Sequence, residues 1–295
     1  MAEILRTPDD RFEGLDGWDY EPRYCEVDGL RIHHIDEGPS DQPPILLLHG
    51  EPTWSYLYRR MIAPLAAEGH RCVAIDLVGF GRSDKLDDRK AYTYASHLQW
   101  LTGAMDAIGL QDITLFCQDW GGLLGLRILA EQPDRFARVC ASNTFLPTGD
   151  HDPGEGFKKW REYSQTTPTF HAGGIVKGGT ARPMSDAAIA AYDAPFPDDS
   201  YLEGARQFPV LVPITPDDPQ AEPNRKAWVS LQGFERPFLT LFADSDPVTK
   251  GGEKVLQKLI PGTKGQPHAI IENAGHFIQE DAGEDLAKHL LGWIG

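Results

Sequence analysis

The sequence predicts an α/β fold built on a mostly parallel, eight-stranded sheet with helices on both faces. Short apolar runs alternate with longer segments of helical period along most of the 295 residues, which is typical of strands joined by crossover helices. Runs such as ILLLH and ITLFC are apolar without alternation, as expected of strands that are buried on both faces.

The predicted elements follow one another with short connections. Strands are predicted, in order, at GLRIHHIDEG, PPILLLHG, RCVAIDLVG, DITLFCQD, RVCASNTF, PFLTLFADSD and HAIIENAGH. Helices are predicted at YLYRRMIAPLAAEG, TYASHLQWLTGAMDAIG, GGLLGLRILAEQPDRF, GGEKVLQKLI and EDLAKHLLGWI.

One stretch interrupts this alternation. Residues 147–213 are rich in Pro, Gly and Asp, contain short helical patterns such as SDAAIAAY, and include no convincing parallel strand. An insertion at the carboxyl ends of parallel strands covers the place where ligands bind in such sheets. We therefore predict a main domain of residues 1–146 and 214–295, with a helical cap domain of residues 147–213 inserted after the sixth strand.

Charge and composition exclude several classes of partner. The 44 acidic and 28 basic residues give a net charge of −16, which repels nucleic acid and anionic lipid. The N-terminus lacks the pattern of a secretory signal, and no apolar stretch approaches ~20 residues, so we expect a cytoplasmic protein. The four cysteines form no CxxC pair, which argues against a disulfide framework and a zinc site.

The strand DITLFC runs directly into Gln118, Asp119, Trp120, Gly121 and Gly122, and then into a helix. This is the strand, sharp turn and helix of a nucleophile elbow, with Asp in the place of the usual Ser. A carboxylate is already an anion at neutral pH and can displace a leaving group from sp³ carbon, giving an ester that water then hydrolyses. The alternative is that Asp119 is only the N-cap of a buried helix.

A base and an acid are predicted at the ends of the last two strands. His276 follows the last strand, which is the position of the catalytic His in the order nucleophile, acid, His. FLTLFADSDPV offers Asp246 and Asp244 as the acid, and we favour Asp246 because the chain leaves the sheet edge before Pro247. The other position for an acid, after the sixth strand, holds Asn143.

The segment LLLHGEPTW supplies part of the predicted oxyanion hole. The backbone N–H groups of Glu51 and Trp120 are its two expected donors. We expect His49 to hold this loop rather than to react. A cis Glu51-Pro52 bond is compatible with the sequence, which does not decide it.

Two indole groups are candidate donors to a leaving halide. Trp120 adjoins the nucleophile, and its N–H is an uncharged donor that cannot itself react. Trp160 is the only Trp in the cap, where it could also serve packing alone. Four phenylalanines of the cap would line an apolar pocket or form the cap's core: Phe157, Phe170, Phe196 and Phe208.

Several motifs together resemble the haloalkane dehalogenases, specifically the subfamily with two halide-binding tryptophans. They are HGEPTWSYLYR, DLVGFGRSDK, QDWGGLLGL, GFKKW, APFPDDSYLEGARQFP and NAGHFIQE. The resemblance spans nearly the whole chain and implies an α/β-hydrolase fold that needs no cofactor or metal. The implied partners are a small apolar halogenated substrate, halide and water, and the expected state is a monomer.

The same resemblance implies a role for each candidate residue. It makes Asp119 the nucleophile, His276 the base, Asp246 the acid, Trp120 and Trp160 the halide donors, and Glu51 with Trp120 the oxyanion hole. It places Phe157, Phe208, Pro209 and Val212 in the pocket, with Leu123 where an aromatic pocket residue can occur. The size of the substrate is left open by Leu123 and by residues 166–181, which resemble the family poorly.

Two other functions remain as alternatives. An epoxide hydrolase shares the Asp nucleophile but uses cap tyrosines, for which Tyr163, Tyr192 and Tyr201 are candidates. A binding protein could keep the fold without turnover, although it would have no use for an intact acid and base. A fluoroacetate-type dehalogenase would need Arg at position 120, and an esterase would need Ser at position 119.

Overall fold

A computed structural model describes residues 2–295. Its strands are β1 (Ile4–Leu5), β2 (Arg23–Val27), β3 (Leu30–Glu37), β4 (Pro44–Leu48), β5 (Arg71–Ile75), β6 (Lys85–Leu86), β7 (Ile113–Gln118), β8 (Phe136–Ser142), β9 (Phe238–Ala243) and β10 (Ala269–Ile271). Its α-helices are α1 (Arg59–Ala67), α2 (Tyr94–Ile108), α3 (Trp120–Glu131), α4 (Gly154–Thr166), α5 (Ala172–Gly178), α6 (Asp186–Asp193), α7 (Glu203–Leu211), α8 (Ala221–Leu231), α9 (Gly252–Leu259) and α10 (Ile278–Ile294). Short 3₁₀ helices span Asp9–Phe12, Ser55–Tyr58, Arg89–Ala91, Pro133–Arg135, Asp199–Leu202 and Pro261–Thr263.

Eight strands form one sheet in the order β10-β9-β8-β7-β4-β5-β3-β2. Strands from β10 to β5 pair in parallel, whereas β3 pairs antiparallel with both β5 and β2. Every residue of the central strands β4 and β7 is buried, because helices cover both faces. The predicted mostly parallel, eight-stranded sheet is confirmed.

Two helices differ from the sequence prediction. The last helix, α10, begins at Ile278, before the predicted EDLAKHLLGWI segment. The backbone at Ala282 (φ −141°, ψ 34°) kinks it into two helical pieces, and the predicted segment lies in the second. Helix α8 was not predicted. Its buried residues are Ala221, Asn224, Ala227, Trp228 and Leu231. Only the last two are large and apolar, so the apolar period is weak in the first half of the helix.

The stretch 147–213 contains α4, α5, α6 and α7, and the structure describes no strand within it. These helices form specific hydrogen bonds with residues outside the stretch 147–213. Arg89 forms hydrogen bonds of 2.7 and 3.0 Å with Glu203 of α7, and Tyr192 of α6 donates to Glu280 of α10 at 2.7 Å. The division into a main domain and a cap domain at these boundaries stays a prediction.

None of the helices that the structure describes combines the length and the apolar character needed to cross a bilayer.

Candidate active site

Asp119 lies at the turn between β7 and α3, with φ at 49° and ψ at −124°. A positive φ is unfavourable for a residue with a side chain and persists only where the surroundings enforce it. Here the backbone N–H of Asp119 donates to Asn143 O at 3.0 Å, and Thr144 Oγ1 donates to Asp119 O at 2.8 Å. These bonds hold the strained turn in place.

Two glycines, Gly121 and Gly50, allow close packing around the turn at Asp119. A Cβ atom at Gly121 would lie 2.1 Å from Leu48 O, and one at Gly50 would lie 2.2 Å from Asp119 Oδ1. Both distances are far below van der Waals contact. Helix α3 can therefore approach strand β4 only because Gly121 lacks a side chain. The loop after β4 can approach the Asp119 carboxylate only because Gly50 lacks one.

The Asp119 carboxylate faces two different groups. Its Oδ1 accepts a hydrogen bond from the backbone N–H of Glu51 at 2.8 Å, and its Oδ2 lies 3.5 Å from His276 Nε2. The side chain makes no capping hydrogen bond to α3, so the N-cap interpretation does not describe it. Trp120 N donates no hydrogen bond within residues 2–295, which leaves the second predicted oxyanion donor free.

His276 lies between Asp119 and Asp246. Its Nδ1 is 3.1 Å from Asp246 Oδ2, and the Asp246 carboxylate is held by the backbone N–H of Val248 at 2.8 Å and by the Thr249 hydroxyl. The runner-up, Asp244, is exposed and accepts from the backbone of Asn273 and Ala274. The structure therefore brings Asp246, and not Asp244, to His276.

The two carboxylates determine the protonation of the imidazole. Burial lowers the pKa of His276, but the charge of Asp246 and the contacts with Asp119 outweigh it and raise the pKa to about 10. Burial raises the pKa of Asp246, but the charge and hydrogen bond of His276 prevail and lower the pKa to about 2. The surroundings of His276 therefore favour its protonated form.

Two amide side chains that sequence analysis did not assign to the site support the His276 loop. Gln118 Nε2 donates to His276 O at 3.2 Å and also lies 3.2 Å from His276 Nε2. Asn143 Nδ2 donates to Gly275 O at 2.9 Å and to His276 O at 3.0 Å. The sequence analysis noted Asn143 only because it stands where the acid can occur after β8. That position was the one feature of the sequence that could have pointed to its role.

A cavity of about 940 Å³ opens between the sheet domain and the helices of 147–213. Its wall includes Asp119, Glu51 and His276 together with these predicted residues: Trp120, Trp160, Leu123, Phe157, Pro209 and Val212. Within residues 2–295, neither the Trp120 nor the Trp160 indole N–H donates to a protein group. Both donors are free for a ligand.

Phe208 does not line this cavity, contrary to the expectation from sequence. It is fully buried behind Trp120, with ring centroids 4.3 Å apart, and stacks on Phe80 at 4.8 Å. Phe170 and Phe196 are also absent from the cavity wall. A sequence pattern cannot separate these positions, because wall and supporting residues are equally apolar.

The contacts of His49 agree with the expectation that it supports the loop after β4. It is completely buried, its Nδ1 contacts Gly50 O at 2.9 Å, and its Nε2 accepts from Leu77 N at 3.0 Å. Both ring nitrogens are thus occupied by the backbone of the loop that carries Glu51. The Glu51-Pro52 bond is cis.

Comparisons with known proteins agree with this arrangement. Residues 43–173 match a family model for the alpha/beta hydrolase fold. A haloalkane dehalogenase of Psychrobacter cryohalolentis is 60% identical over 99% of this chain and 98% of its own length. Another, from Mycolicibacterium paratuberculosis, is 51% identical over 98% of each. The chain belongs to the haloalkane dehalogenase family.

The solved structures lead to the same family. Haloalkane dehalogenase DpaA from Paraglaciecola agarilytica, described as a tetramer, superimposes with a TM-score of 0.92 at 35% identity and covers 98% of both chains. This protein is accordingly an α/β-hydrolase-fold enzyme that acts on carbon–halide bonds. No group of three or more His, Cys, Asp or Glu in the described part of this dehalogenase is arranged to hold a metal ion.

The Glu51 side chain of this dehalogenase is an unpaired buried carboxyl. The residue is 5% exposed, and its Oε1 has no hydrogen-bond partner within residues 2–295. Burial and the charge of Asp119 raise its pKa well above 4.5, although the charge of His276 acts in the opposite direction. Glu51 therefore stays protonated at pH values at which an exposed glutamate is ionised.

Glu51→Gln tests this protonation state through stability. Because the pKa of Glu51 is raised in the folded state, proton binding by Glu51 stabilises the fold fully at pH values below the ordinary pKa of 4.5. This stabilisation is lost as the pH rises towards the folded-state pKa. The free energy of unfolding of the wild type should therefore fall relative to Glu51→Gln from pH ~5 to ~9 in urea titrations. Glu68→Gln, at an exposed site, is the control. If the free energies of unfolding of the wild type and Glu51→Gln differ by the same amount at every pH, the raised pKa of Glu51 is contradicted.

Proposed function

We propose that this dehalogenase hydrolyses short haloalkanes through a covalent alkyl ester on Asp119. An oxygen of the carboxylate attacks the halogen-bearing sp³ carbon, a C–O bond forms, and halide leaves with the electron pair of the C–X bond. Water then attacks the ester carbonyl, the bond between the carbonyl carbon and the alkyl oxygen breaks, and the alcohol leaves with one proton of the water, which regenerates the Asp119 carboxylate. The observation that carries this proposal is the Asp119 carboxylate in a mainly apolar cavity, 3.5 Å from His276 Nε2.

The hydrogen bond from Glu51 N supports a role in both steps. At 2.8 Å from Oδ1, this N–H orients the carboxylate so that Oδ2 is the attacking oxygen. After alkylation, Oδ1 becomes the carbonyl oxygen of the ester, and negative charge develops on it when water adds. The backbone N–H groups of Glu51 and Trp120 would then form the oxyanion hole.

Esterification converts His276 into a base. In the free enzyme, the charges of Asp246 and Asp119 hold the imidazole protonated. Alkylation removes the charge of Asp119, so the pKa of His276 falls and the ring can release its proton to the solvent. The neutral ring then accepts a proton from the hydrolytic water. Asp246, at 3.1 Å from Nδ1, stabilises the imidazolium that results.

Trp120 and Trp160 are the proposed halide donors. Both line the cavity, and both have an indole N–H without a protein acceptor. An uncharged N–H suits a weakly hydrated halide. Behind Trp120, the ring of Phe208 at 4.3 Å fixes the indole plane, which gives Phe208 a supporting role in place of the predicted contact with substrate.

Four further wall residues favour an apolar substrate. Leu123, Phe157, Pro209 and Val212 offer apolar surface and no hydrogen-bonding side chain, which favours an uncharged alkyl group. None of the three cap tyrosines lines the cavity: Tyr192 is buried and donates to Glu280, while the hydroxyl of Tyr201 lies 3.5 Å from Arg6 O. None of these tyrosine hydroxyls is therefore placed to protonate an epoxide oxygen in the cavity.

A monomeric, cytoplasmic enzyme is the final part of the proposal. The large exposed apolar side chains are scattered over separate elements: Ile4, Tyr163, Val229, Val248 and Ile270. The four cysteines are free, and three of them are buried, as suits a reducing compartment. Light scattering of the purified protein should give the mass of a single chain; the mass of four chains, the assembly described for DpaA, would contradict the monomer.

His276→Ala should trap the alkyl ester. Attack by Asp119 does not require a base, whereas ester hydrolysis does. With 1-bromobutane, the variant should release about one bromide per active site, and intact-protein mass spectrometry should show the added butyl group on Asp119. Asp119→Ala should release no bromide, and His289→Ala, at an exposed position, should turn over normally. Repeated turnover by His276→Ala would overturn the mechanism.

Trp120→Phe and Trp160→Phe test the halide site, because each change removes one N–H and keeps an aromatic ring. A hydrogen bond to an ion contributes about 1.5–3 kcal/mol, so the inhibition constant for bromide should rise by about 10–100-fold in each variant. Trp293→Phe, whose indole bonds Gln266 far from the cavity, is the control. An unchanged bromide constant in Trp160→Phe would remove Trp160 from the site.

A further inference from the structure

Two segments that are distant in sequence lie in direct contact beside the proposed base. We name Gly179–Arg182 the cap strap and Gly275–Phe277 the base loop. A Cβ atom on Gly275 would lie 2.3 Å from Gly179 O, and one on Gly179 would lie 2.6 Å from the Phe277 ring. The backbone N–H of Phe277 also donates to Gly179 O at 3.4 Å. The strap and the loop thus pack backbone to backbone.

The carboxylate of Asp281, in the first turn of α10, joins these two segments. Its Oδ2 accepts from Gly275 N at 2.8 Å and from Ala181 N at 2.9 Å. Its Oδ1 accepts from Arg182 N at 2.8 Å. The residue is 2% exposed, and within residues 2–295 it forms no ion pair. Three backbone amides, two from the strap and one from the loop, therefore satisfy this buried charge.

The position of this bridge has a consequence for His276. Gly275 precedes the base directly, and Gly179, Thr180 and Ala181 of the strap form part of the cavity wall. A hydrogen bond to a carboxylate is stronger than one between neutral groups, so Asp281 holds the base loop against a wall of the same cavity in which the ester forms. Gln118 and Asn143 hold the loop from the side of the sheet.

We propose that Asp281 is a positioning residue for His276, acting by clamping the base loop to the cap strap. This inference rests on the proposed role of His276 as the base of ester hydrolysis. The distance from His276 Nε2 to Asp119 Oδ2 is 3.5 Å, and a proton transfer between water and imidazole tolerates little displacement. Loosening the clamp slows ester hydrolysis, whereas attack by Asp119, which needs no base, continues.

Asp281→Asn tests the clamp, since the amide keeps the size of the side chain but presents an N–H₂ group to at least one backbone N–H. With 1-bromobutane, kcat should fall at least ~10-fold, and KM should fall with it, so that kcat/KM changes little. Mass spectrometry of the protein at steady state should show a larger fraction carrying the butyl group than in the wild type. A role in folding alone would lower kcat through fewer active molecules and leave KM and the butylated fraction unchanged.

Controls separate this inference from the proposed function. Asp285→Asn, at an exposed site on the same helix, should match the wild type, and assays are run at a temperature at which circular dichroism shows each variant folded. Asp281→Ser, which leaves room for water to bridge the amides, replaces Asp281→Asn if the latter does not fold. If His276→Ala traps the ester but the Asp281 variant shows no butylated protein and an unchanged kcat, the clamp is overturned and the mechanism stands. If His276→Ala traps nothing, the mechanism itself fails, and the clamp falls with it.

Discussion

The turn at Asp119 is the constraint on which the rest of the site depends. A side chain at a φ of 49° is carried out of the line of β7 and away from the axis of α3, so its carboxylate projects into the cavity. The strain is balanced by a hydrogen bond from Asp119 N–H to Asn143 O, and by bonds that Asp119 O accepts from the Thr144 hydroxyl and from the first turn of the helix. One carboxylate oxygen therefore meets the Glu51 N–H while the other faces His276, and in the proposed mechanism the two oxygens have different chemical roles.

Electrostatic coupling follows from this placement. His276 is buried between Asp119 and Asp246, and the two negative charges raise its pKa to about 10 against the effect of burial. In the mechanism proposed above, the protonation of His276 therefore depends on whether Asp119 is free or esterified. The same field acts on Glu51, whose side chain is kept neutral by burial and by Asp119. Ionisable groups that lie this close together and are shielded from solvent alter one another's pKa strongly.

Helices of the stretch 147–213 contribute part of the cavity wall. Trp160 and Phe157 of α4 and Pro209 of α7 face the cavity, and the strap between α5 and α6 rests on the loop that carries His276. The position of the cap and the position of the base are thus parts of one packed unit. This packing explains why a buried carboxylate, Asp281, is tolerated there without a cationic partner: its charge is shared among three backbone amides.

Local patterns in the sequence determined the sheet and the strand-turn-helix unit around Asp119, because each depends on residues close together in the chain. Tertiary structure alone decided the rest. It brought Asp246 rather than Asp244 to His276, moved Phe208 from the cavity wall to the back of Trp120, and joined Asp281 to the cap strap some 100 residues away. These outcomes depend on which buried groups meet across the fold, and the free energy of a buried polar or aromatic contact is set by partners that no local pattern contains.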